Sequence, residues 1–160
     1  MIRASLLLSG CTALVLSGCA TTGPSGPSPI VLAAGAAPMG VDCAVMEMTA
    51  EPGEAAIGLT EAQSALMGHW VQGMWESGVC HTLSVEDIQA DGTARVVFAN
   101  GPSAVAPPTA RRVTGTVSES GILRFTLPDG AEVSYALDGE ILRGVLRRDG
   151  TMSPVALTRG

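Results

Sequence analysis

The 160-residue sequence contains no lysine, so its nine basic residues are all arginines. Eight of these arginines lie between residues 95 and 160, whereas residues 20 to 94 carry nine acids and no base. The formal net charge of the whole chain is −6. Because nucleic acid and anionic lipid head groups repel a protein of this charge, we exclude nucleic-acid binding as a primary role.

The familiar motifs of hydrolases and metalloenzymes are also absent. There is no Gly-x-Ser-x-Gly elbow and no His-Glu-x-x-His, and His69 and His81 are the two histidines. Cys80 adjoins His81, and adjacent strand residues point to opposite faces, so the two cannot easily share one metal ion. For the same reason we expect the adjacent carboxylates of Glu86 and Asp87 to point to opposite faces, so they would not flank a substrate bond. We therefore expect no enzyme, no metal and no cofactor, with a hydrolase using an unrecognised site as the alternative.

No apolar run approaches the ~20 residues that a membrane-spanning helix needs. The longest run, Ala4 to Leu16, follows a short start with one charge, Arg3, and ends at small residues before Cys19. This order is typical of a secretory signal. We predict that residues 1–18 are a signal peptide that is removed.

Leu16-Ser17-Gly18-Cys19 resembles the lipobox of bacterial lipoproteins. The resemblance implies that Cys19 receives a diacylglyceryl group, that cleavage occurs before it, and that its freed amine is acylated, with palmitate or a similar chain. Cys11 ends a competing match, but the apolar region before that match is only about seven residues long. The alternative is an ordinary secreted protein in which Cys19 is incidental.

The residue after Cys19 is Ala20 and not aspartate. In lipoproteins of two-membrane bacteria this implies transfer to the outer membrane, so the expected location is the cell envelope, facing the periplasm. Two or three acyl chains anchor a protein durably, at ~0.8 kcal/mol per buried CH₂. The membrane is therefore the first expected partner, held through the acyl chains.

Between the lipobox and the folded domain, residues 19–58 are predicted to form the lipidated cysteine, a flexible linker and an irregular segment. The linker, residues 20–29, is rich in Gly, Pro, Ser and Thr, a composition that behaves as a disordered tether. Thr60-Glu61-Ala62-Gln63 then matches a capping box. It predicts a short helix over residues 61–67, ended by Gly68.

Residues 59–160 are predicted to be a β-barrel domain. Six Asp-Gly, Asn-Gly or Ser-Gly dipeptides separate short runs of alternating apolar and polar residues, and such dipeptides favour hairpin turns. Closing the strands into a barrel removes exposed edges, so we predict an all-β fold, a small eight-stranded antiparallel up-and-down barrel. The predicted strands lie near residues 68–75, 79–89, 93–100, 111–118, 121–127, 131–137, 140–148 and 152–159.

Alternation assigns one side of each strand to the barrel interior. The predicted inward residues are Trp70, Gln72, Met74, Leu83, Val85, Phe98, Val113, Val117, Leu123, Phe125, Val133, Tyr135, Leu137, Leu142, Leu146, Val155 and Leu157.

Gly68-His69-Trp70, which follows the short helix and opens the first strand, is similar to the Gly-x-Trp signature of the lipocalins. In that family the tryptophan plugs one end of the barrel and an arginine of the last strand lies over it. The resemblance therefore implies a barrel plug made by Trp70 and Arg159, with a cation–π contact worth about 0.5 to 2 kcal/mol.

Two further sets of residues are candidates for a structural or binding role. Cys43 and Cys80 remain after Cys19 is lipidated, and in an oxidising compartment such a pair most simply forms a disulfide. Trp70, Trp75, Phe125 and Tyr135 either line a pocket or fill the barrel, and eight strands leave just enough room for side chains or one small ligand. We favour a filled or nearly filled barrel.

Together these features predict a membrane-anchored envelope lipoprotein whose small barrel is a binding or interaction module. The expected partner is a small apolar ligand or a periplasmic protein. The alternatives are a periplasmic inhibitor or accessory subunit of an envelope enzyme, and the hydrolase named above.

Overall fold

A computed structural model describes Cys43, Gly53 and residues 56–160 of the chain. The predicted signal peptide, Cys11, Cys19 and the predicted tether lie outside these described residues. Among the described residues, no helix has the length and apolar character needed to cross a membrane.

The predicted capping box is present and starts the helix α1, Glu61–Ser64. The amide of Gln63 donates to Oγ1 of Thr60 over 3.2 Å, and the amide of Thr60 donates to Oε1 of Gln63 over 2.9 Å. The helix is shorter than the predicted 61–67. Its end tightens because the amides of Leu66 and Met67 bond three residues back, to Gln63 and Ser64.

Eight antiparallel strands follow, and each pairs with its neighbours in chain order to form a closed barrel. The all-β, eight-stranded up-and-down barrel is therefore confirmed. The strands are β1 Gly68–Met74, β2 Cys80–Ile88, β3 Thr93–Asn100, β4 Thr109–Val117, β5 Leu123–Thr126, β6 Glu132–Asp138, β7 Ile141–Arg148 and β8 Thr151–Arg159.

The dipeptide turns account for the hairpin geometry. Asp149 and Gly150, between β7 and β8, both have positive φ, at 50° and 78°. Positive φ at both central residues belongs to the type I′ turn, whose twist matches that of paired strands. In four other dipeptides the glycine alone has positive φ, at Gly92, Gly121, Gly130 and Gly139, so these turns depend on the conformational freedom of glycine.

The barrel interior is packed with apolar side chains. Fifteen of the predicted inward residues lie in this core or pack partly buried against it. One end of the barrel is covered by α1 and is called the helix end below. The other end, where β1, β3, β5 and β7 finish, is called the open end.

Gln72 and Met74 do not face the interior, so the parity prediction was wrong for these two residues. The register of β1 against β2 shifts between Trp70 and Gly73, and Gln72 has a φ of 61°. A bulge adds one residue and reverses the alternation beyond it. Gly73 therefore takes the inward place beside Leu157, and Gln72 is exposed.

Candidate functional site

The open end of the barrel contains two adjoining cavities, which together are called the mouth below. The first has a volume of about 430 Å³, and the second has a volume of about 370 Å³. Asn100, Leu127 and Arg148 line both of them. The first extends towards Trp75, Val79 and Leu146, and the second towards Phe98, Thr109 and Arg111.

A chain of polar side chains lies directly beneath the mouth. Nε1 of Trp75 donates to Oδ1 of Asn100 over 2.9 Å. Nδ1 of His81 lies 2.8 Å from the Ala99 carbonyl oxygen and 3.1 Å from Oδ1 of Asn100. Nε2 of His81 lies 2.6 Å from the phenol oxygen of Tyr135.

These distances determine the tautomer of His81. Both neighbours of Nδ1 are oxygen acceptors, since the Asn100 oxygen must face the Trp75 donor, so Nδ1 carries the hydrogen. Nε2 is then an acceptor, and the Tyr135 hydroxyl donates to it. Each ring nitrogen of this fully buried imidazole is satisfied in its neutral form.

Burial shifts the pKa values of His81 and Tyr135. Loss of solvation lowers the pKa of His81 to about 4, although its hydrogen bonds to Ala99 and Asn100 act in the opposite direction. Burial likewise raises the pKa of Tyr135 well above its usual value. Both groups are therefore neutral at physiological pH.

The same geometry removes His81 from solvent. Trp75, Phe98 and Tyr135 surround its ring, with ring-centre separations of 4.7, 4.6 and 6.0 Å. No carboxylate is among the hydrogen-bond partners that the described residues give it. The hydrogen bonds link strands across the barrel interior. Trp75 and Asn100 form the bottom of the mouth.

Room for Tyr135 comes from a glycine opposite it. Tyr135 on β6 pairs directly with Gly144 on β7. A Cβ at Gly144 would overlap the Tyr135 ring and lie 2.9 Å from Val155. The inward glycine thus marks space that an aromatic ring occupies, and not an empty pocket.

Trp70 and Arg159 lie at the helix end and are paired across the seam between β1 and β8. The guanidinium carbon of Arg159 lies 4.3 Å from the centre of the Trp70 ring. Arg159 also donates to the carbonyl oxygens of Met67 and Ala65, over 2.9 and 2.7 Å. The indole nitrogen of Trp70 donates to Leu66 over 2.9 Å, so both side chains bind the end of α1 to the barrel.

Cys43 and Cys80 are joined by a disulfide. Cys80 begins β2 at the open end, and its carbonyl oxygen accepts a 2.7 Å hydrogen bond from Gly101. Gly53 donates to the carbonyl oxygen of Glu86 near the other end of β2. The chain before the helix is therefore attached to one strand at two points.

Glu86 and Asp87 mark a bulge in β2, where the register against β3 shifts between Val85 and Asp87. The buried Glu86 carboxylate accepts two hydrogen bonds from Arg112, over 2.6 and 2.8 Å, and lies 3.4 Å from Arg95. The hydrogen bond from Arg112 is the main cause that lowers the pKa of Glu86. Asp87 lies 3.8 Å from the same Arg95, so the prediction that the two acids diverge was wrong, because the bulge brings both to the outer face.

Comparison with known proteins identified no matching family model, no similar curated protein and no similar solved structure. Within the described part of the chain, no group of three His, Cys, Asp or Glu side chains is arranged to hold a metal ion.

Sequence analysis missed the part of the site that depends on closure of the barrel. His81 has the parity of Leu83 and Val85, and that signal places it inside the barrel. Its partner Tyr135 is 54 residues away on a strand that β2 does not pair with. Asn100, the polar residue shared by both cavities and the buried cluster, was recognised only as part of the turn dipeptide Asn100-Gly101.

Proposed function

We propose that this protein is a lipid-anchored lipoprotein of the cell envelope whose lipocalin-like barrel binds a small apolar ligand in its mouth. The single observation that carries the binding part is the cavity at the open end. Volumes of about 370 and 430 Å³ lie at the lower end of the ~300 to 1,000 Å³ that ligand sites occupy.

The walls of the larger cavity suit an apolar ligand. Trp75, Val79, Leu127 and Leu146 contribute apolar surface, and Arg148 is paired with Asp129 at the rim. The indole of Trp75 is fixed by its hydrogen bond, so it offers a flat surface at little entropic cost.

Asn100 is one of several polar residues that line this cavity, and its amide can orient a ligand. Oδ1 of Asn100 accepts from Trp75, which directs the amide nitrogen of Asn100 away from that ring. That nitrogen has no hydrogen-bond partner among the described residues, and it can donate to a carbonyl or carboxylate of the ligand. A few convergent polar groups in an apolar cavity are typical of small-molecule sites.

The anchoring part of the proposal is supported by the lipobox ending at Cys19. Residues 20–29 supply a tether that reaches roughly 30 Å when extended. Acyl chains on Cys19 would keep the barrel close to the outer membrane and free to turn there.

Binding is tested with the full chain carrying Cys19→Ala, which removes the acylation site, and with the fluorescent probe 8-anilinonaphthalene-1-sulfonate. We expect saturable binding that Leu146→Gln weakens about tenfold, since a tenfold change corresponds to ~1.4 kcal/mol. Leu137→Gln is the matched control, because Leu137 is equally half-buried but lies at the helix end of β6.

Absence of saturable binding, or an equal loss in both leucine variants, would contradict the proposal. Native mass spectrometry of the protein isolated from bacterial envelopes would in addition show the mass of a ligand that co-purifies.

A further inference from the structure

The pairing of β4 with its two neighbours is unequal. Along the β3 side it is continuous, from Thr93↔Thr116 to Asn100↔Thr109. Along the β5 side it consists of Thr116↔Arg124 and Val117↔Leu123. Within residues 56–160, the stretch Thr109–Thr114 therefore has no strand partner on its β5 side.

Gly115 lies between the paired residues of β4 and the unpaired stretch. A Cβ there would lie 2.5 Å from the carbonyl oxygen of Arg124, so β4 and β5 are in close backbone contact at this point. Beyond it β5 ends at Thr126 and turns towards β6. The two strands diverge, and the smaller cavity of the mouth fills the gap, with Thr109 and Arg111 on one side and Leu127 to Asp129 on the other.

The free edge of β4 offers unused hydrogen-bonding groups. The amide of Val117 donates to Gly92, on the β3 side. Successive residues of an antiparallel strand direct their N–H and C=O groups to alternate sides, so Ala110, Arg112 and Thr114 direct theirs into the gap. All three residues are exposed. Such an edge is a ready template for another strand.

The charge along this edge selects the partner. Arg111 and Arg124 flank the gap and form no ion pair with any described residue. Arg112 is bound to Glu86, and Arg148 to Asp129. The gap therefore keeps two uncompensated positive charges. A second copy of the chain would place arginine opposite arginine, which destabilises cross-strand pairing.

We propose that the β4 edge, Thr109–Thr114, binds an extended acidic peptide segment of another protein as an added strand. About six residues, spanning ~20 Å, would pair with Ala110, Arg112 and Thr114 and complete the barrel wall. Acidic side chains on the inner face of the segment would meet Arg111, and acidic side chains on its outer face would meet Arg124. This site adjoins the smaller cavity of the mouth but does not include Trp75 or Leu146, on which the proposed ligand binding depends.

The test measures amide hydrogen exchange by NMR on the full Cys19→Ala chain. The probe is a capped heptapeptide, Glu-Glu-Val-Glu-Glu-Val-Glu, which places glutamate on both faces of the added strand. We expect exchange to slow at least ~10-fold at Ala110, Arg112 and Thr114 and to stay unchanged at Arg111 and Val113, which already pair with β3. The same peptide with lysine for glutamate is expected not to bind.

Two kinds of variant distinguish the contribution of backbone hydrogen bonds to peptide binding from that of charge. Thr114→Pro removes one donor on the gap side and no β3 hydrogen bond, and proline is tolerated at strand edges, so it should abolish peptide binding and leave the fold intact. Thr114→Val keeps the donor and should bind normally. Arg124→Gln should weaken binding about threefold, whereas Arg147→Gln, an exposed arginine of β7, should not.

Equal binding of the two peptides, no binding of either, or protection without the alternating pattern would overturn the proposal. Dimerisation of the free protein with the same three amides protected would overturn it in favour of a second copy. Leu146→Gln should leave peptide binding unchanged, and Thr114→Pro should leave binding of the fluorescent probe unchanged, so failure of this proposal is distinguishable from failure of ligand binding in the mouth.

Discussion

The hydroxyl of Tyr135 donates a 2.6 Å hydrogen bond to Nε2 of His81 and links two strands that are not neighbours in the barrel. Both side chains are fully buried. Only the neutral imidazole can accept this bond, since a protonated ring has a donor at both nitrogens. The interior therefore depends on the protonation state of a single histidine.

Stability should fall as the pH drops from about 7.5 to 5. The pKa of His81 is about 4 in the folded protein against 6.5 in the unfolded chain, so the unfolded chain binds more protons in this range. The contribution is present above pH 6.5 and is lost progressively towards pH 4. Linkage gives a loss of about 2 kcal/mol at pH 5, measured by chemical denaturation. His81→Gln should flatten the profile, His69→Gln should not, and equal slopes in all three proteins would contradict the assignment.

Gly144→Ala should destabilise the barrel by about 1 to 3 kcal/mol, because its Cβ would overlap the Tyr135 ring. In a Tyr135→Ala background the same change should cost little, since the ring that it displaces is gone. A double-mutant cycle measures this coupling. Additive effects of the two substitutions would show that the glycine has another role.

The local part of the fold could be predicted from the sequence because its signals are local. Asp-Gly turns and the Thr60–Gln63 capping box require specific residues, and eight strands and one helix followed from them. The bulge at Gln72 could not be predicted, because the alternation of apolar and polar residues does not reveal one inserted residue. The gap beside β4 could not be predicted either, because alternation within a strand does not show how far two strands pair.

Loss of the disulfide should cost about 4 kcal/mol in the chain-entropy account, because the bond joins residues 37 positions apart. The variant Cys43→Ser/Cys80→Ser and the dithiothreitol-treated protein should have the same denaturation midpoint, below that of the oxidised protein. Dithiothreitol should not lower the midpoint of the double variant further. A midpoint that is the same in all samples would mean that β2 is held in place without the bond.

The lipid anchor is tested by metabolic labelling with a fatty-acid analogue. Cys19→Ala should abolish incorporation and leave uncleaved precursor or a soluble form. Cys11→Ala should change nothing, because that cysteine is expected to leave with the signal peptide. Label that persists in the Cys19 variant would refute the proposed lipobox.

Arg159 tests whether the seam of the barrel is held by its last strand. The seam between β1 and β8 has two paired positions, Trp70↔Arg159 and Val71↔Thr158. Arg159→Ala would remove the contact with the Trp70 ring and two hydrogen bonds to the end of α1.

We expect this substitution to lower the free energy of unfolding by about 1 to 3 kcal/mol, although residues next to a chain end are usually nearly silent. Arg147→Ala removes the same charge from an exposed site on β7 and should change stability by less than about 0.5 kcal/mol. Arg159→Lys should fall between the two, because an ammonium keeps the attraction to the indole but cannot reach two carbonyl oxygens as a planar fork does. If all three denaturation midpoints coincide, the seam closes without Arg159, and α1 must be held at the barrel end by its other contacts, such as the bonds from Trp70 to Leu66 and from Gln63 to Val117.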